Sequence, residues 1–285
     1  MSFATSRRGF LSGAATAAVA SAVPFNALAR TTAPAAKPSP ILLGVASYSF
    51  YKRDRQYVLD GMKALRTPYL NLKDVHLPMT TPEEIAKGAA EYRAAGLTLT
   101  GAGTISLQKD DDDDMRKPFE YCKAAGIPMI VAAPTLETLP RVEKFAKEYN
   151  IKIAIHNHGP EDKHFPSPFT VLKAIKGLGP LMGMCIDVGH ATRAGADVVE
   201  AIKAAGPRLL DMHIKDLANP HEAKSQVPVG DGVLPIPAFF QALIGIHYKG
   251  HVMLEYEINM DDPLPGMIKS FAYMRGVIAG MGYKA

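Results

Sequence analysis

After residue 40 the chain alternates short apolar runs with stretches whose apolar residues recur at helical spacing. The runs ILLGVASY (41–48), YLNLKDV (69–75), LTLTGAG (97–103), PMIVAAP (128–134), KIAIHNH (152–158), MGMCIDVG (182–189), RLLDMHIKD (208–216) and HVMLEYE (251–257) predict eight strands. Between them, stretches such as PEEIAKGAAEYRAAG and LETLPRVEKFAKEYN predict amphipathic helices, and AAG at 94–96, 124–126 and 204–206 supplies the glycine expected just past a helix end. Strand and helix alternating in this way predict a parallel sheet, and closing it gives a single-domain (β/α)8 barrel over residues 41–285. An open doubly wound sheet is the competing architecture. No G-x-G-x-x-G follows the first strand, and the partial match GAG at 101–103 is read as a turn.

In a barrel, alternate strand residues face the interior, and chemistry gathers at the strands' C-terminal ends. In the fifth strand this places Ile151, Ile153 and Ile155 outward and Ala154, His156 and His158 inward. In the sixth, Ile186 points out and Asp187 in. In the seventh, Leu210, Met212 and Ile214 point out, while Asp211, His213 and Lys215 point in. In the eighth, Val252, Leu254 and Tyr256 point out, while Glu255 and Glu257 point in. Four consecutive strands therefore end in inward imidazoles or carboxylates. Burying them without partners costs several kcal/mol each. One divalent cation (Mn, Zn, Co, Fe or Mg) gives a reason to gather them, with His156, Asp187, His213 and Glu255 as ligands, one per strand.

Around such an ion, His158 is a candidate base or a support for a ligand, Lys215 a fixed cation for an enolate oxygen, and Glu257 a further catalytic carboxylate. At the end of the second strand, Lys73 is expected inward and His76 in the following loop, both as candidate substrate contacts. Asn157 is expected toward the helix layer and Arg193 in solvent. The acidic run Asp110–Asp114 is expected to start a helix, where carboxylates cap free amides and complement the helix dipole.

The segments IHNHGPE, CIDVGHATRAGAD, LLDMHIKD and VMLEYE resemble the sugar phosphate isomerase/epimerase superfamily, with its xylose-isomerase-like TIM barrel, over about residues 41 to 280. The resemblance implies Asp187, His213 and Glu255 as metal ligands and His190, of the D-V-G-H segment, as a substrate contact. The family's usual ligand order is Glu, Asp, His, Glu. This chain has His156 where the first glutamate would stand, so a two-glutamate epimerase mechanism is not implied. What is implied is a metal-dependent isomerase or epimerase that removes a proton next to the carbonyl of a sugar or keto-sugar. The alternatives are a 3-keto-glycoside lyase or hydratase of the same fold, and a metal-dependent sugar-binding protein without turnover. The loop around Gly230-Asp231-Gly232, before a proline-started helix, also resembles the family and is expected to wall the site.

The first 29 residues change where the protein is expected to act. Arg7 and Arg8 precede an apolar stretch of small residues ending in Ala27-Leu28-Ala29, the pattern of a cleaved twin-arginine export signal. Residues 30–40 are expected to be a disordered leader. The mature chain is expected in the periplasm or secreted, without a stable membrane anchor, and homo-oligomers remain open. The full sequence of 285 residues carries a formal charge of only +4, and no basic patch points to nucleic acid. The two cysteines, Cys122 and Cys185, fall in a helix pattern and a strand pattern, and are expected as separate buried thiols.

Overall fold

The computed structural model describes residues 37–284. The expected export signal at 1–29 and residues 30–36 of the expected leader lie outside the described residues.

Eight strands form a closed parallel barrel: β1 (Leu42–Ala46), β2 (Tyr69–Leu72), β3 (Thr98–Leu107), β4 (Met129–Pro134), β5 (Lys152–His156), β6 (Met182–Asp187), β7 (Leu209–Ile214) and β8 (His251–Leu254), with β8 pairing β1. Around it lie α1 (Arg55–Leu65), α2 (Pro82–Ala94), α3 (Asp112–Ala125), α4 (Leu139–Tyr149), α5 (Pro168–Ile175), α6 (Val188–Arg193), α7 (Val198–Ala205), α8 (Ile236–Gly245) and α9 (Leu264–Gly280). Strand–helix alternation thus produces the expected barrel, with two helices rather than one after β6.

Local chemistry starts and stops these helices. Thr81 and Glu84 form a capping box on α2, Ser167 and Thr170 one on α5, and Asp111 accepts from the amides of Asp113 and Asp114 at the start of α3. The acidic run therefore caps a helix, and Arg141 and Lys144 neutralise part of its charge. Gly96, Gly126 and Gly206 all adopt positive φ where the chain leaves α2, α3 and α7.

The main core lies between the barrel wall and the helices, where Ile153, Ile155, Met212 and Ile214 are fully buried. A smaller cluster, Met129, Val131, Ala154 and Cys185, fills the barrel interior below the mouth. Leu210, expected outward, packs against this inner cluster. The β6–β7 register slips between Met184 and Cys185, pairing them with Leu209 and Asp211, so strict alternation fails at Leu210. Asp211 still faces in; Asn71 Nδ2 donates to its Oδ2 at 3.2 Å, and burial pushes its carboxyl up to about 6.

Two further expectations are corrected. Residues 101–103 lie inside β3, which continues to Leu107; a Cβ on Gly103 would sit 2.3 Å from Val131 O, so glycine lets β3 press against β4. The end of the expected leader is ordered: Lys37–Pro38 pairs in parallel with Tyr283–Lys284, and Ser39 N donates to Lys284 O. Both cysteines are buried free thiols, as expected. Among the described residues no helix is long and apolar enough to cross a membrane.

Candidate metal centre and active site

The mouth of β5–β8 gathers His156, Asp187, His213 and Glu255, each with a ligand atom within 4.8 Å of the others. His156 Nε2 lies 3.1 Å from His213 Nδ1 and 3.6 Å from Asp187 Oδ2, and His213 Nδ1 is 3.1 Å from Glu255 Oε1. All four residues are buried.

Asp187 shows how the D-V-G-H segment builds the site. Its Oδ1 accepts the amide of His190 at 2.7 Å and so caps α6, leaving Oδ2 to face the cluster. Asn157, expected toward the helix layer with a hydrogen bond to the adjoining loop, brackets the backbone of Asp187 at the end of β6: its Nδ2 donates to Asp187 O, and its Oδ1 accepts from Asp187 N. Gly189 makes room for Lys215, because a Cβ there would lie 2.7 Å from the lysine Cδ. Neither role has a local signature in the sequence.

Lys215 is buried rather than free. Its Nζ lies 3.0 Å from Asp187 Oδ2 and 2.9 Å from Glu255 Oε2, and it also pairs with Glu257. Burial opposes its charge, but Asp187, Glu255 and Glu257 outweigh burial and hold the ammonium well above its usual range. For Asp187 and Glu255 burial likewise opposes ionisation. Lys215 and then His190 outweigh it at Asp187, while His213 and then Lys215 do so at Glu255, holding both carboxyls well below the usual range. Burial, reinforced by His158, pushes His156 down to about 3. Burial opposes a charge on His213, but Cys185 and the Glu255 carboxylate beside it outweigh burial and raise its pKa well above the usual range, so without an ion the centre holds two ionised carboxylates, a neutral imidazole at His156, a protonated imidazole at His213 and a fixed ammonium at neutral pH.

This donor set fits a divalent ion. Two imidazoles and two carboxylates are common first-row ligands, their inner atoms already converge, and Asp187 Oδ2 accepts no well-aligned hydrogen bond despite its charge.

Above the cluster is a cavity of about 300 Å³ lined by Tyr48, Lys73, Thr104, Ser106, Ala133, His156, His158, His190, Glu255 and Glu257. Six of the sequence-derived site residues (His156, His158, His190, Glu255, Glu257 and Lys73) thus line one cavity, with Asp187, His213 and Lys215 buried outside its lining. Lys73 reaches across the front, donating to Thr104 O at 2.7 Å. The rings of His158 and His156 lie 4.4 Å apart, and burial lowers the pKa of His158, with His190 adding to the effect.

Two residues depart from expectation. His76, expected as a substrate contact, is buried away from the cavity; its Nδ1 lies 3.0 Å from Ser47 Oγ and its Nε2 3.1 Å from Phe50 O. It braces the loop after β1. Arg193, expected in solvent, keeps only 8% of its side chain exposed, pairs with Glu161, and approaches His190 Nδ1 at 3.2 Å. The Gly230 loop is tied to Asp216, whose carboxylate accepts from the amides of Gly230, Gly232 and Leu234.

The inosose dehydratase of Mesomycoplasma hyopneumoniae (strain 7448) is 27% identical over 161 residues, which cover 50% of this chain and 53% of that protein. The chain thus spans about half the length of that curated relative. D-psicose 3-epimerase from Clostridium cellulolyticum H10, solved with D-tagatose, has a TM-score of 0.69 at 16% identity, covering 84% of this chain and 99% of the other. The IolI protein, solved with a bound zinc atom, has the same score, identity and coverage. At 16% identity these two structures bear on the fold alone. The family model for the xylose isomerase-like TIM barrel matches residues 60–277, and the chain belongs to that family.

Proposed function

We propose that the chain is a divalent-metal-dependent enzyme that removes a proton from the carbon next to the carbonyl of a sugar or keto-sugar. The observation that supports this most is one buried quartet of imidazoles and carboxylates directly beneath a cavity ringed by Lys73, His158, His190 and Glu257. A bound divalent ion would supply Lewis-acid polarisation of the substrate carbonyl. His156, Asp187, His213 and Glu255 are the residues that would hold it.

The remaining roles belong to side chains. Asp162 Oδ2 lies 3.4 Å from His158 Nδ1, which favours the proton on that nitrogen and leaves Nε2 as the acceptor that takes the substrate proton. Lys73 and His190 hold substrate oxygens from opposite sides of the cavity. When the outcome is isomerisation, His158 returns to carbon the proton it has taken, and Glu257, on β8's side and paired with Lys215, is placed to relay a proton between neighbouring substrate oxygens. Lys215 stabilises negative charge through the carboxylates it joins rather than by touching substrate.

A second reading, loss of a leaving group from the adjoining carbon, is favoured by one specific feature. The end of β5 carries an imidazole where two-base chemistry would use a carboxylate, and elimination needs only one base. The name of the dehydratase relative is consistent with it.

The test is incubation of metal-loaded protein with keto-sugars and inososes in deuterated water. Deuterium appearing at the carbon next to the carbonyl supports the reading. Bound but unexchanged ligand throughout the panel would make the protein a sugar binder without turnover.

Delivery is proposed from the sequence: residues 1–29 act as a twin-arginine signal. Arg7→Lys together with Arg8→Lys should leave the protein in the cytoplasm by cell fractionation, because the guanidinium pair is what is read. Unchanged periplasmic delivery would point to another route.

A further inference from the structure

Beneath the quartet stands a thiol that the proposed reaction does not use. Cys185 lies two residues before Asp187 on β6, so both side chains face the barrel interior, with the thiol one layer deeper, about 6–7 Å along the strand. Its neighbour across the β5–β6 ladder is His156. Cys185 Sγ and one ring nitrogen from each of His156 and His213 lie within 4.8 Å of one another, and all three residues are buried. The carboxylates of Asp187 and Glu255 are not in this set. The two histidines thus stand between two kinds of donor. Carboxylate oxygens lie toward the mouth, and a sulfur lies toward the interior, where Met129, Val131 and Ala154 pack with it.

A buried cysteine by itself is usually a packing residue. What sets this one apart is the condition of its neighbours. The quartet engages His156 Nε2 and His213 Nδ1, the atoms that approach Asp187 and Glu255. The other two ring nitrogens, His156 Nδ1 and His213 Nε2, are buried and have no hydrogen-bond partner among the described residues. Each such orphan costs about 1–3 kcal/mol. Each ring therefore has a second nitrogen to offer, and Cys185 lies against the ring of His213. Thiolate and imidazole are the donors that thiophilic ions select, whereas carboxylates suit harder ones.

We infer that Cys185, His156 and His213 form a second, deeper seat for a thiophilic ion of the copper(I) or cadmium kind, separate from the carboxylate-bearing seat above it. The inference goes beyond the proton-abstraction reading and does not depend on it. Seating the ion breaks the sulfur–hydrogen bond of Cys185 and forms a sulfur–metal bond. The thiol proton, and any proton on the ligating imidazole nitrogens, passes to solvent, and nothing is oxidised or reduced. The same two rings serve both seats, so an ion in the lower one disfavours an ion in the upper one. A thiophilic ion held there lies one layer below the cavity, away from a substrate carbonyl. It therefore acts as an inhibitor of the centre rather than as its cofactor.

The test titrates cadmium(II) into the metal-free full chain under reducing conditions, following the ultraviolet charge-transfer band that arises when thiolate sulfur binds the ion. The expected result is a band that saturates at a single ion per chain. It should persist in Cys122→Ala, where Cys185 is the remaining thiol, and in Asp187→Asn, which takes a donor from the upper seat alone. It should vanish in Cys185→Ser. In His213→Gln the cadmium affinity read from the band should fall at least about tenfold, since loss of even an outer partner of a metal ligand costs that much. No band in Cys122→Ala would overturn the inference, whether or not Cys185→Ser folds. A band surviving in Cys185→Ser would overturn it equally. A band lost in Asp187→Asn would overturn the separation of the two seats and put the sulfur on the quartet's own ion. None of these results bears on deuterium exchange into keto-sugars, which tests the proton-abstraction reading by itself.

Discussion

The two halves of the barrel mouth differ in kind. Strands β5–β8 end in His156, Asp187, His213 and Glu255, with Lys215 and Glu257 beyond them, all tied into one ionic cluster. Strands β1–β4 present Tyr48, Lys73, Thr104, Ser106 and Ala133, mostly neutral and small. The ionic half is buried and internally compensated, so its geometry is set before any substrate arrives. The neutral half supplies shape and a single reaching cation. Charge is concentrated where one divalent ion would answer it, and the neutral half presents side chains that cost little to expose.

Four substitutions test this contrast. The largest effect is expected from Asp187→Asn, which keeps an oxygen for the α6 cap but removes the charge facing the cluster. Metal affinity should fall by at least about 100-fold, because a buried charged interaction worth several kcal/mol is lost. Metal content after dialysis checks it; full occupancy would show that the quartet is not the ion's seat.

His158→Gln should leave metal content near wild type while lowering kcat by about 10²–10⁴, the usual contribution of a general base. If metal affinity falls instead by about 10–100-fold and added metal restores the rate, His158 orients a ligand and the base lies elsewhere.

Lys215→Met should act in the opposite direction on the ion. Removing an ammonium that lies beside the carboxylates of Asp187 and Glu255, which would hold the ion, should tighten metal binding by about tenfold, since like charges a few ångströms apart repel even at partial screening. The metal-free variant should melt at a lower temperature, with its carboxylates left uncompensated. Calorimetric titration beside thermal unfolding of the metal-free form reads both; weaker metal binding would show that Lys215 assists the site.

The smallest effect belongs to the neutral half. Burial lowers the pKa of His76. A histidine kept neutral in the fold gains its proton more readily when unfolded, so its contribution to stability is present above the unfolded value near 6.5 and is lost as pH falls below it. Thermal unfolding between pH 7 and 5.5 should be less pH-dependent in His76→Gln than in wild type, by up to about 1.4 kcal/mol per pH unit. An unchanged slope would place the acid sensitivity in the ionic half alone.

Much of the barrel and of its centre was legible because both rest on local periodicity. Alternation alone brings Asp187, His213 and Glu255 to one mouth, and a carboxylate run followed by an amphipathic stretch starts α3 as expected. What was not legible depends on partners far apart in the chain. Asn71 meets Asp211 and Arg193 meets Glu161 only once the ring is closed. His76 reads as a loop histidine free to meet substrate until Ser47 and Phe50 are seen to lie against both its nitrogens. Leu210 turns inward because the register slips once between β6 and β7, and a slip of one residue reverses a side chain without marking the sequence.

The cap on α6 carries a consequence of its own. That helix has six residues, too few to persist unaided in water. Its first turn hangs on one carboxylate oxygen of Asp187, while the other oxygen faces the ionic cluster. The turn bears His190 and leads to Arg193, so this side of the cavity above the cluster stands or slackens with the state of a single side chain. Amide hydrogen exchange at His190 becomes a gauge of that state: whatever pulls Asp187 from its place should release this proton to solvent before the surrounding barrel loosens.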